Sequence, residues 1–212
     1  MSDSRQPAGE SEVSYRLALP ETFYDRSVVE VARDLLGCVL ATYREGSLTA
    51  GRIVEVEAYG GPEDLDSHSA FRRTGLVRAM WGPPGRAYVY RAYGVYPCFN
   101  TVTGKAGTAS AVLIRALEPL VGVDTMQRRL GAAGPRRVAS GPGKLSLALG
   151  ISTDDNGARL DGLDLWLQSG ELVSESEIAM GPRIGVRRGD RRAWRYGIRG
   201  HRDVSRPFPQ SK

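Results

Sequence analysis

The stretch Arg52-Ile53-Val54-Glu55-Val56-Glu57-Ala58-Tyr59 decides how the chain is read. Its β-branched residues favour an extended strand, and a strand sends successive side chains to opposite faces. That period puts Ile53, Glu55, Glu57 and Tyr59 on one face and Val54, Val56 and Ala58 on the other. Two carboxylates then share one face of a largely apolar strand, where uncompensated charge is costly to bury. Two compensations are open at this point. Neighbouring arginines could neutralise both groups, or one carboxylate could be a positioned base that takes a proton from water.

Toward the N-terminus, Glu45-Gly46-Ser47 reads as a turn joining a strand over Leu48 to Tyr59 to a β-rich run from Cys38 to Tyr43. Before it, Ser27 and Glu30 form a capping box, and Val28, Val31, Ala32, Leu35 and Leu36 repeat at helical spacing until Gly37. Residues 1–13 are polar and aperiodic and read as a disordered lead.

Toward the C-terminus, Gly60-Gly61-Pro62 ends the strand, and an irregular surface loop carrying Arg72, Arg73 and Arg78 is expected up to Trp81-Gly82-Pro83-Pro84-Gly85. Ala87 to Tyr90 and Tyr96 to Thr103 predict a hairpin turning at Gly94. A buried strand over Ala109 to Leu117, a helix over Val121 to Leu130, a linker over 131–139 and a short helix from Pro142 to Gly150 follow. β-segments are expected near Leu163 to Leu167, Ile184 to Arg187 and Trp194 to Arg199. Hairpin-linked strands with helices between them predict an α+β fold: a single domain with a curved, mostly antiparallel β-sheet, a protruding β-hairpin and several packed helices. The domain is expected over residues 14–201, with a polar C-terminal tail over 202–212.

Composition limits the function classes. The 212-residue chain carries a net charge of +5, and of its 29 basic residues only Lys105, Lys144 and Lys212 are lysine. An arginine's planar fork suits phosphates and base edges, which favours a nucleic-acid partner, although GC-rich codon usage would enrich arginine too. There is no run of 18 apolar residues, so no membrane span is expected. Cys38 and Cys98 and a start unlike a signal peptide predict a cytoplasmic protein with reduced thiols. With only His68 and His201, no zinc-type spacing can be assembled, and Asp64, Asp66 and His68 read as an acidic loop. Neither metal nor cofactor is expected.

Tyr88, Tyr90, Tyr93 and Tyr96 fall on or beside the hairpin. Some of these rings will cover core, yet Tyr93, beside Gly94 and shortly after Arg91, suits a wedge for the DNA minor groove. Asn100 on the returning strand offers a donor and an acceptor that could read a base edge. The run Ser140-Gly141-Pro142-Gly143-Lys144-Leu145 fails as a phosphate loop, because Val138 and Leu145 break its pattern. It is either an ordinary capped helix start or a holder of a DNA phosphate.

In this order, Val54-Glu-Val-Glu-Ala-Tyr-Gly-Gly-Pro-Glu-Asp64, His68-Ser69, Tyr88-Val-Tyr90, Tyr93-Gly-Val-Tyr96, Asn100, Val112-Leu-Ile-Arg-Ala-Leu-Glu-Pro119 and Ser140 to Leu145 strongly resemble the alkyladenine (3-methyladenine) DNA glycosylase family. The likeness spans roughly residues 15 to 200 and weakens over 131–139 and beyond Gly170. It implies a monofunctional glycosylase that flips alkylated or deaminated purines (3-methyladenine, 7-methylguanine, hypoxanthine) out of double-stranded DNA and hydrolyses the N-glycosidic bond, leaving an abasic site. It further implies that Glu57 is the general base, that Arg115 helps fix the water, and that Glu55 is structural. Tyr59 and His68 would line one side of the flipped base and Tyr90 the other, with Tyr93 as the intercalating wedge. Asn100 would reject normal guanine, and the Ile184-Gly185-Val186 backbone would contact the base edge. Such an enzyme can act as a monomer.

Two other function classes fit the residues less well. A non-catalytic minor-groove binding module gains nothing from a carboxylate facing a polyanion. A sugar hydrolase needs carboxylates that flank the bond, whereas Glu55 and Glu57, roughly 6.6 to 6.8 Å apart at strand rise, approach from one side.

Overall fold

A computed structural model describes residues 18–131, 137–186 and 192–209; the expected lead over 1–13 lies outside them. Helix α1 (Glu21–Tyr24) and helix α2 (Val28–Asp34) come first. The Ser27–Glu30 capping box that starts α2 is present in both directions. Strands β1 (Val39–Arg44), β2 (Ser47–Gly60), β3 (Ala87–Ala92), β4 (Tyr96–Thr103) and β5 (Ser110–Val121) follow, then helices α3 (Val123–Arg129) and α4 (Pro142–Ala148) and strands β6 (Leu165–Gln168), β7 (Ile178–Gly181) and β8 (Arg195–Ile198).

The strands form one curled antiparallel sheet in the order β3-β4-β5-β2-β1-β6, with β8 also on β2 and β7 on β8. This is a single-domain α+β fold. β2 is its centre: β5 runs along one edge, and the other edge is shared by β1 over residues 47–52 and β8 over residues 55–57.

That change of partner coincides with a shift in register. Ile53 pairs with Leu117, Glu55 with Ala116 and Val56 with Ile114, so Val54 and Arg115 are both skipped. A residue left out of the pairing reverses the alternation on either side of it. Ile53 therefore joins Val56, Ala58, Val112, Ile114 and Leu117 in the main core instead of sharing the face of Glu55 and Glu57, as strict alternation predicts. α2 and α4 cover this face through Val31, Leu35, Leu145 and Leu149, each fully buried and each contributing roughly 1.5–3 kcal/mol by leaving water. A smaller cluster of Val77, Met80, Tyr88, Val102, Ala109 and Ala111 forms on the opposite face under a 3₁₀ turn at Gly75–Trp81.

Three elements differ from the sequence expectation. Gly122, at φ 75°, ends β5 one residue after Val121, so α3 starts only at Val123. A Cβ there would lie 2.3 Å from the Leu48 carbonyl oxygen. The strand expected over Ile184 to Arg187 is instead β7, at Ile178–Gly181. Residues 182–186 are irregular because Pro182 has no N–H to donate, and Arg183 and Ile184 are bonded elsewhere; Arg187 lies outside the described residues. Finally, the acidic loop is only partly solvated: Asp64 is fully buried, whereas Glu63, Leu65 and His68 are exposed.

Candidate active site

The pairing of β3, β4, β5, β2 and β8 aligns one row of residues across the sheet: Tyr88 opposite Asn100, Asn100 opposite Leu113, Leu113 opposite Glu57, and Glu57 opposite Arg195. Directly opposed residues of antiparallel strands project to the same side. The row thus sets a tyrosine, a carboxamide, an apolar spacer, a carboxylate and a guanidinium in line on the face away from α2 and α4.

Glu57 has no exposure to solvent. Its Oε1 accepts the Ile184 N–H at 2.6 Å, and its Oε2 accepts the Tyr59 hydroxyl at 2.9 Å and faces Nη1 of Arg115 at 3.2 Å. A carboxylate offers about four acceptor positions, so among the described residues one is left for a further donor such as water. Glu55, equally buried, is saturated: its Oε1 takes Nε of Arg115 at 3.2 Å, Nε of Arg195 at 2.8 Å and the Ser205 hydroxyl at 3.0 Å, and its Oε2 takes the Ser205 N–H. Two carboxylates and two guanidiniums therefore form a buried neutral quartet. Burial works against the charge of Arg115, but the Glu57 and Glu55 carboxylates outweigh it and hold the guanidinium above its ordinary pKa. The arginine-neutralisation reading thus describes Glu55, whereas Glu57 keeps spare acceptor capacity.

The aromatic half is built around His68. Its Nδ1 is 2.7 Å from the Tyr88 hydroxyl, and its ring stands edge-on to Tyr90 with centroids 4.4 Å apart, while Tyr88 and Tyr90 stack at 5.5 Å. His68, Tyr88 and Tyr90 thus form one contiguous aromatic cluster. Burial, and then the charge of Arg72, lower the His68 pKa and favour the neutral ring. Burial likewise pushes the Tyr59 and Tyr90 hydroxyls well above their usual range, with the Glu57 charge second for Tyr59 and Cys98 second for Tyr90.

A second ion pair holds Tyr59. Arg183, with a fully buried side chain, bonds both oxygens of Asp64 and the Ala58 carbonyl, and its guanidinium lies 4.6 Å from the Tyr59 ring centroid. Asp64 also accepts the Gly60 N–H and meets Arg192 at 3.0 Å. The loop after β2 and the segment that delivers the Ile184 N–H are locked together in this way.

Asn100 differs from the expectation in one respect. Both hydrogens of its amide nitrogen are taken, by the Tyr88 carbonyl at 2.9 Å and the Cys98 carbonyl at 3.1 Å. It offers a base no donor, only the carboxamide oxygen, and the two bonds fix the group's orientation.

The hairpin protrudes as expected. Tyr93 is 89% exposed at its tip, with φ of 53° at Tyr93 and 74° at Gly94. Gly143, in the first turn of α4, lets that helix approach the hairpin base, since a Cβ there would lie 2.9 Å from Cβ of Tyr96. Lys144 is exposed beside it.

The chain matches a profile of the methylpurine-DNA glycosylase family over residues 22–202. It belongs to that family. It is 48% identical over 196 residues to a protein of Methanoculleus marisnigri, covering 90% of this chain and all of that one. It is also 48% identical over 192 residues to a protein of Rhodopseudomonas palustris strain BisB18, covering 91% and 92% of the two chains, and 42% identical over 191 residues to one of Carboxydothermus hydrogenoformans, covering 90% and 100%. All three carry the provisional name 3-methyladenine DNA glycosylase. The protein is thus a DNA repair glycosylase, a hydrolase of N-glycosyl bonds.

In this glycosylase, Glu57, Tyr59, Arg115, His68, Tyr90 and Asn100 lie on or against one face of the sheet, and Tyr93 stands apart at the hairpin tip. Sequence reasoning missed Arg183, Arg195 and Ser205. Nothing local distinguishes them among many arginines and serines, because each acts on a residue more than 100 positions away. No helix is long and apolar enough to cross a membrane among the described residues. The one group of described residues with metal-like spacing, Glu118, His201 and Asp203, lies outside this site, and Glu118 is already bonded to Arg52 at 2.7 Å.

Proposed function

We propose that the enzyme flips an alkylated or deaminated purine (3-methyladenine, 7-methylguanine or hypoxanthine) out of duplex DNA and hydrolyses its N-glycosidic bond, leaving an intact strand with an abasic site. The observation that carries this reading is Glu57: a fully buried carboxylate held by Ile184, Tyr59 and Arg115 with one acceptor position to spare. A water bonded there would lose its proton to Glu57 as its oxygen joins the sugar C1′ and the base departs with the bond's electrons. An alkylated purine already carries positive charge and leaves readily, whereas hypoxanthine must gain a proton as it goes.

The base would be held with Tyr59 and His68 on one side and Tyr90 on the other. Asn100, clamped by two carbonyls, cannot swing aside, which favours a steric rejection of the guanine exocyclic amine. Tyr93 would fill the gap the nucleotide leaves. Among the described residues no lysine sits with these groups, which argues for a simple hydrolase without a Schiff-base step. We also propose that the protein works as a monomer in the cytoplasm with access to chromosomal DNA.

The test uses a duplex oligonucleotide with one hypoxanthine or 3-methyladenine. Free base should appear at a rate set by enzyme, and the strand should break only after hot alkali. Breakage without alkali would contradict the monofunctional reading, and binding without base release would favour a DNA-binding module.

A further inference from the structure

The segment after Arg202 reads as a polar tail in the sequence, yet it reaches the buried charges behind the site. Glu55 and Glu57 face Arg115 and Arg195, and all four side chains are at most 7% exposed. With Glu55 in place, both guanidiniums turn their Nε atoms toward it. Without it, two buried cations would share one carboxylate, and the spare acceptor of Glu57 would be the nearest place for them to bond. Glu55 therefore keeps Glu57 open only while Glu55 itself stays fixed.

Ser205 fixes it together with the two guanidiniums. Its N–H donates to Oε2 of Glu55. Its hydroxyl lies 3.0 Å from Oε1 of Glu55 and 3.3 Å from Nη2 of Arg115. A guanidinium cannot accept a hydrogen bond, so the hydroxyl must accept from Arg115 and donate to Glu55. One small group thus ties acid and base of the pair together. The surrounding chain is anchored independently. Phe208 lies 3.9 Å from the Arg195 guanidinium and packs where a Cβ on Gly197 would be, and Arg195 donates to the Arg206 and Pro207 carbonyls. Removing the hydroxyl should leave this strap in place.

We propose that Ser205 is a positioning residue for base release: through Glu55 and Arg115 it keeps the spare acceptor of Glu57 available to water. This rests on the reading of Glu57 as the general base.

The test is a double-mutant cycle of wild type, Ser205→Ala, Glu57→Gln and the double variant, read by single-turnover release of hypoxanthine and by Kd for the same duplex. Ser205→Ala should slow release about 10-fold or more, as expected for one charge-assisted hydrogen bond, with Kd within about 2-fold. In the Glu57→Gln background, Ser205→Ala should add little, because residues acting as a unit are not additive. An equal loss in both backgrounds, a parallel loss of Kd, or an unchanged Ser205→Ala rate would overturn the proposal while leaving Glu57 as base. A full rate for Glu57→Gln would instead overturn the base reading, and the proposal with it.

Discussion

Tyr93 is a bulky residue in a backbone conformation that L-residues avoid, and replacing it separates stability from function. At φ 53° a side chain costs roughly 1–2 kcal/mol relative to glycine. The ring is 89% exposed, so it returns almost nothing through burial. Tyr93→Gly should relieve the strain, less about 0.4–1 kcal/mol for the extra freedom glycine has in the unfolded chain. The net is a gain of about 1 kcal/mol, or roughly 2–4 °C in Tm for a domain of this size. Tyr93→Ala keeps the strain and should not gain. Both variants lose the ring that would hold the flipped state, and unstacking a base costs a few kcal/mol. Single-turnover release from duplex DNA should therefore fall about 10- to 100-fold for both, and less on single-stranded substrate. Calorimetry and base release are the paired assays. A Gly variant that melts no higher than the Ala variant would refute the strain argument, and undiminished release from duplex would remove the wedge.

Two further predictions follow from the site's geometry. The Asp64 carboxyl is held below the usual carboxylate range: burial alone would raise it, but the Arg183 and Gly60 hydrogen bonds and the Arg183 and Arg192 charges outweigh burial. Its stabilising contribution is thus present above the unfolded value near ~3.9 and lost as pH falls through the lower folded value. Asp64→Asn should melt roughly 10 °C lower at pH 7, since breaking a buried pair costs about 3–5 kcal/mol, and the gap to wild type should narrow below about pH 4; a constant gap down to pH 2 would show that Asp64 is not the titrating group. Asn100→Ala should raise release of normal guanine relative to hypoxanthine by about 10-fold or more, the scale of a lost steric contact, and an unchanged ratio in competition assays would place the discrimination elsewhere.

The sequence exposes whatever depends on neighbouring positions. The Ser27–Glu30 cap, the strand bearing Glu55 and Glu57, and the Tyr93-Gly94 hairpin are all written within a few residues. What it hides is set by distant partners. The reversal that sends Ile53 to the core arises where β2 exchanges β1 for β8, and alternation within one strand cannot reveal a change of neighbour. Asp64 looks like a loop acid because Arg183, which buries it, is 119 positions away. The strand expected near Ile184 is displaced to Ile178–Gly181 because Arg183 and Ile184 are committed to Asp64 and Glu57. Ser205 reads as tail for the same reason, with its partner Glu55 150 positions earlier.

The most direct test of the central claim is single-turnover base release from duplex DNA carrying hypoxanthine or 3-methyladenine, comparing wild type with Glu57→Gln at equal DNA occupancy. The isosteric amide keeps the shape of the site and removes the base, so release should fall at least about 10²-fold while binding persists. Equal release by both proteins would mean that the proton is taken elsewhere and that Glu57 is only a buried partner of Arg115.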